Sequence, residues 1–183
     1  MATLHKYFRP LFTAVVVIQG FHVVEHIVQL LQVYVFDVSD DEAFGLLGFL
    51  FHPNGTEEWL HLGFNGLYLV ALYALAIPLL GLVGRGVPRS AFAVFVVGGV
   101  ALESWHVVEH IVIISNVVKN SGCPCPGIGD RLLGVKDKQL HFAYNAVAYA
   151  ATVTGFWFAT NASPASTSSN HDASETEPLL QAT

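Results

Sequence analysis

Four apolar stretches divide the chain: Phe8 to Phe36, about Trp59 to Val83, Phe92 to Val118 and Leu140 to Thr160. An α-helix rises 1.5 Å per residue, so about 20 residues cross a hydrocarbon core about 30 Å thick. Each stretch has that length, and the pattern predicts four transmembrane helices. Lys6 and Arg9 ahead of Leu11 to Ile18 imitate a signal peptide. No small-residue cleavage site follows and the segment's polar pattern recurs later, so the first stretch is read as a retained helix. Composition agrees, with 53% apolar and 12% charged residues and a mean hydropathy of +0.52. Soluble domains carry about 25% charged residues, which excludes a small soluble domain. Eight dispersed Lys and Arg and a net charge of −6 exclude a nucleic-acid partner, and two cysteines exclude a disulfide scaffold.

The polar positions inside these stretches repeat. HVVEHIV occurs at His22 to Val28 and again at His106 to Val112, and HLGFN at His61 to Asn65 is echoed by HFAYN at His141 to Asn145. The chain therefore reads as two copies of a two-helix unit, about 8–83 and about 92–160, related by a pseudo-two-fold axis along the membrane normal. The expected fold is all-α: an integral membrane domain over residues 1–160, a four-helix bundle of two tandem helical hairpins. Residues 161–183, rich in Ser, Thr, Ala and Pro, read as a disordered tail.

Ionisable groups inside a bilayer cost at least about 2.5 kcal/mol each unless paired or ligated, so a polar set that occurs twice calls for a chemical reason. Residues i, i+3 and i+4 share a helix face. His22, Glu25 and His26 thus form one patch with Gln19 and Gln29, and His106, Glu109 and His110 form its match, with Glu103 in the place of Gln19. His61 with Asn65, and His141 with Asn145, make i, i+4 pairs on the other two helices. Small residues Gly20, Gly63, Gly66 and Ala143 would let the helices approach. Six imidazoles, two carboxylates and two carboxamides point to two transition-metal ions, each held by three histidines. The expected ligands are His22, His26, His61, His106, His110 and His141, with Glu25 and Glu109 bridging the ions or accepting protons. Asn65, Asn145, Gln19 and Glu103 would orient ligands or bind substrate. His52 would cap the site from the first loop, and Phe21 and Trp105 would pack beside it.

Three histidines per ion, two from an H-x-x-x-H pair, resembles the coupled copper sites of haemocyanins and tyrosinases and the di-iron sites of membrane desaturases and alkane hydroxylases. The resemblance covers only the spacing of His22, His26 and His61 and of His106, His110 and His141, without the other motifs of those families. It implies copper or iron and oxidoreductase chemistry with oxygen on a small or lipid-soluble substrate; zinc or manganese suit the same donors. H-x-x-E-H also resembles the inverzincin proteases, implying zinc hydrolysis by Glu25 or Glu109, and H-x-x-x-N is similar to one motif of CAAX-type intramembrane proteases. Bis-histidine haem in an electron-transfer protein is a further reading, with Gly20, Gly63, Gly66, Gly98 and Gly99 beside the ring, but it leaves Glu25 and Glu109 without a task. A carboxylate and imidazole chain could conduct protons or cations in an oligomer. Structural hydrogen bonding between helices is the plainest alternative, yet such bonds contribute only about 0.6 kcal/mol on average.

The loops give orientation. Asp37 to Glu58 carries six acids and no Lys or Arg, while Lys6, Arg9, Arg85 and Arg89 mark the opposite side. Positive-inside bias places both termini in the cytoplasm, although Lys119, Arg131, Lys136 and Lys138 in the third loop equalise the tally. The expected surroundings are a lipid bilayer crossed several times, with a homo-oligomer or a larger membrane complex as the assembly. Asn54 to Thr56 fits a glycosylation acceptor, Glu175 to Leu180 a dileucine sorting signal, and Cys123 and Cys125 could pass a soft metal to the site.

Overall fold

A computed structural model describes residues 2–51, 57–119 and 127–161. His52, Asn54 to Thr56, Cys123, Cys125 and the tail beyond Asn161 lie outside these residues. The described residues are almost wholly helical, with no strand among them. Helix α1 (Ala2–Tyr34) is followed by short α2 (Gly45–Phe51) and long α3 (Glu57–Leu82). Helix α4 runs from Arg89 to Lys119 and contains a π-helical stretch, Phe95–Ala101. Short α5 (Ile128–Leu133) and long α6 (Asp137–Asn161) complete the order.

Three helices are long and apolar enough to cross a membrane: Tyr7–Tyr34, Glu58–Leu82 and Arg89–Lys119. Helix α6 has the length but is diluted by Asp137, Lys138, Gln139, His141, Asn145 and several threonines. The four long helices pack side by side, α6 against both α1 and α4, and α4 against α3. A tight reversal joins α3 to α4. Between α3 and α4, Gly84 and Gly86 take positive φ and the Gly84 N–H donates to Val87 O at 3.0 Å.

The packing is inverted relative to a soluble bundle. Leu67, Val70, Ile77, Val97 and Trp157 face outward, whereas Gln19, Glu103, His106, Glu109, His110 and Asn145 are fully buried. Lipid accepts the apolar exterior, and every buried polar group then needs a partner inside. The interior itself has two halves. Towards the outer ends of α1 and α6 that carry Arg9 and Thr160, it is Phe12, Leu72, Leu75, Leu79, Phe95 and Ala159. Towards the end that carries α2 and α5, it is histidine, carboxylate and carboxamide.

Close approach in the apolar half is made by Gly98 and Gly155. A Cβ on Gly98 would stand 2.9 Å from Ala151 Cβ, and one on Gly155 2.8 Å from the Phe95 ring. Gly63 and Gly66, expected at helix contacts, have open space around them, because they lie on the side of α3 turned from its neighbours. The Gly20 position touches Tyr149.

Candidate metal centre

Helices α1 and α4 bring the HVVEHIV histidines inward one turn apart, and the first turns of α3 and α6 add His61 and His141. All six rings come together in one cluster. They form two trios. Ring centroids of His22, His26 and His61 lie 4.7, 5.3 and 5.6 Å apart, and those of His106, His110 and His141 lie 4.6, 4.8 and 5.2 Å apart. The trios touch through His61 and His110 at 5.8 Å. In the second trio, one ring nitrogen from each residue lies within 4.8 Å of the other two.

Four of the Nδ1 atoms are held from behind. His106 Nδ1 faces Glu103 Oε2 at 3.4 Å, His110 Nδ1 faces Glu58 Oε2 at 3.4 Å, and His141 Nδ1 faces Asp137 Oδ1 at 3.0 Å and its carbonyl at 3.0 Å. His26 Nδ1 donates to Gln29 Oε1 at 2.8 Å. A neutral imidazole presents its N–H to a carboxylate or carbonyl, which puts the lone pairs of His26, His106, His110 and His141 on Nε2. His22 Nε2 stands 3.3 Å from His26 Nε2, to which it can donate, its own Nδ1 having no partner, whereas His106 Nε2 faces His110 Nε2 at 3.1 Å across two lone pairs. Two lone pairs at that distance repel unless a cation lies between them. Nitrogens each about 2.0–2.1 Å from a tetrahedral metal stand about 3.3–3.4 Å apart, close to the separations present. His61 Nε2 and His141 Nε2 are buried with no hydrogen-bond partner. The donor set and its spacing therefore fit metal ligation.

Glu25 and Glu109 do something other than bridge. The Glu25 carboxylate turns away from the rings and accepts the N–H groups of Leu46, at 2.9 Å, Leu47, at 2.8 Å, and Gly48, at 3.4 Å. Glu109 Oε1 likewise accepts the Gly129 N–H of α5 at 2.8 Å. The first N–H groups of a helix have no intrahelical acceptor, and a carboxylate there satisfies both hydrogen bonding and the helix dipole. Gly45, at φ +70°, and Gly127 are glycines because a Cβ on either would overlap the capping carboxylate. Each HVVEHIV thus sends two histidines inward and fixes a short helix beside the site with its glutamate.

The carboxamides lie just beneath. Gln19 Nε2 donates to Asn145 Oδ1 at 2.8 Å, Asn65 Nδ2 lies 3.1 Å from His110 Nε2, and Asn145 Nδ2 donates to the His141 carbonyl at 2.9 Å. Gln19 Oε1, Asn65 Oδ1 and Glu103 Oε1 stay buried without a partner. Tyr68 closes this layer by bonding Thr152 Oγ1 at 2.7 Å. A narrow mouth opens on the histidines between Gln29, Glu58, Asp137 and Lys138. At that mouth burial would raise the Asp137 carboxyl, but the His141 imidazole and its hydrogen bond outweigh burial and hold it well below the ordinary carboxylate range.

Glu58, Asp137 and Phe64, which stacks on His22 at 4.2 Å, had not been singled out from sequence. Asp137 carried a readable signal, lying one helical turn before His141. Phe21, expected beside the site, is 71% exposed on the outer face. Trp105 reaches the site only at its edge, donating to Tyr144 OH at 3.0 Å. Comparison of the chain with protein-family models, with curated proteins and with solved structures finds no match in any of the three.

Proposed function

We propose that this protein is a multi-pass membrane metalloprotein, its four long helices forming two tandem hairpins that hold a dinuclear, histidine-ligated metal centre. The observation that carries the reading is the pair of facing Nε2 atoms, 3.1 Å apart in His106 and His110, whose Nδ1 atoms both face carboxylates. The length of α6 matches a span, and its polar residues His141, Asn145 and Thr152 face the interior, which accounts for its lower apolarity.

Copper or iron suits a six-imidazole set, and such ions would supply redox chemistry with oxygen in a water-poor site. The chain's own residues would bind the ions through Nε2, fix each ring by its Nδ1 partner, and exclude water with the apolar exterior. A small or lipid-soluble substrate would meet the carboxamides Asn65 and Asn145. Haem fits less well, since the six rings contact one another and leave no planar slot between them. Zinc hydrolysis fits less well, since Glu25 is committed to α2 through both carboxylate oxygens and Glu109 to α5 through Oε1. A proton shared between facing imidazoles is the reading that the same nitrogens would otherwise support.

Absorption and metal-edge X-ray spectroscopy of detergent-purified protein test the proposal. The expected result is a shell of imidazole nitrogens at about 2.0–2.1 Å and no Soret band. A Soret band would transfer the site to haem, and a metal-free sample, prepared without chelators, would leave the shared proton.

A further inference from the structure

Two of the three histidine pairs that the repeat relates, His22 with His106 and His26 with His110, differ in backing. All three rings of the second trio hold Nδ1 against a carboxylate: Glu103 for His106, Glu58 for His110 and Asp137 for His141. In the first trio His26 is held by the neutral Gln29, and His22 Nδ1 is buried with no hydrogen-bond partner. The sequence explains the difference. Registering the hairpins on their shared strings sets Glu103 against Gln19 and Glu58 against Lys138, while Asp137 is set against another acid, Glu57. Glu58 on α3 serves His110 on the neighbouring α4. The corresponding position for His26 on α1 is Lys138 of α6, which has no acceptor to offer, and both line the mouth.

A carboxylate behind a ligating imidazole raises its basicity and neutralises the charge of the ion, and removing such a group costs about 10–100-fold in metal affinity. The second trio is also the one whose donor atoms already stand together. We infer that the two metal positions are unequal: His106, His110 and His141 form the tight, permanently loaded site, and His22, His26 and His61 form a weaker, exchangeable one. The inference rests on the dinuclear reading. It also assigns Glu58, Glu103 and Asp137 as positioning residues, and Lys138 as the residue that keeps the first trio weak.

Titration of chelator-stripped, detergent-purified protein with Co²⁺, followed by visible absorption, tests it. Two equivalents of unequal affinity are expected. Glu58→Gln and Glu103→Gln should each weaken the first equivalent by about 10–100-fold and leave the second unmoved. His22→Ala should remove the second alone, and Lys138→Glu should tighten it. Glu58→Gln carries the decision because its side chain is partly exposed and the change conserves volume. Two equal equivalents, carboxamide variants that leave the tight one unmoved, or loss of that equivalent in His22→Ala would overturn the inference and spare the dinuclear reading. No uptake of Co²⁺ at either position would overturn both.

Discussion

The two halves of the bundle interior are built from the same four helices by opposite means. In the half lined by Phe12, Leu75, Leu79 and Phe95, contact is a matter of shape. Phe12 meets Phe95 and Phe156 edge to face at 5.9 and 5.4 Å, and Gly98 and Gly155 let backbones close in. In the other half side chains are placed by polar atoms, as His106 is by Glu103 and Gln19 is by Asn145. Lipid offers no drive to bury one apolar residue rather than another, so the apolar half holds the helices together by packing. The polar half is the costly part, and it is tolerable only when its partners are complete. Apolar packing and polar contact are thus separated along one axis, which makes the halves separable by mutation.

The largest effect should come from the rings. Replacing both His26 and His110 by Ala should abolish metal binding, read as metal per chain, while far-ultraviolet circular dichroism stays helical. Next, Leu75→Ala in the apolar half should cost about 2–5 kcal/mol, the usual range for a buried Leu, without reducing metal content at low temperature. Gly155→Ala should cost about 1–3 kcal/mol, since its Cβ would strike Phe95 and the α4–α6 contact must open. A metal loss in either variant would show that the halves are not independent.

Glu109→Gln should then lower protection of the α5 amides in hydrogen exchange by about 1.5–3 kcal/mol, the range for a bond to a charged group, with the rings still loaded. Loss of metal in that variant would restore Glu109 to the ligand set. The smallest effect concerns Asp130, whose carboxyl is raised to about 6 by burial and by the charge of Asp137. Its folded value lies above the ordinary 3.8, so its contribution is complete below that value and is lost as pH rises through about 6. Asp130→Asn should remove this fraction of the pH dependence, by under about 1 kcal/mol given its partial exposure, in thermal melts at pH 4 and pH 7.

The long helices were legible because apolar runs of spanning length have few other solutions. The histidines were legible because the same string recurs where polar residues are rare. Helices α2 and α5 were not, since each is short and is fixed by a glutamate about 20 residues earlier in the chain. That distant bond also redirected Glu25 and Glu109, whose spacing beside histidines resembled ligation. Glu58 and Asp137 looked like ordinary acids at span ends; only the helix crossing that brings Glu58 to His110 gives it a role. Phe21 shows the limit of adjacency, because a neighbour of His22 in sequence lies about 100° away around the helix.

The central claim is that the polar half exists to hold metal. Elemental analysis of protein purified in detergent without chelators tests it most directly, with the His26→Ala, His110→Ala double variant beside it. The account predicts about two equivalents of a transition metal per chain in the first sample and a near-complete loss in the second, with Leu75→Ala retaining both. Metal-free wild-type protein, or equal metal in wild type and double variant, would contradict it.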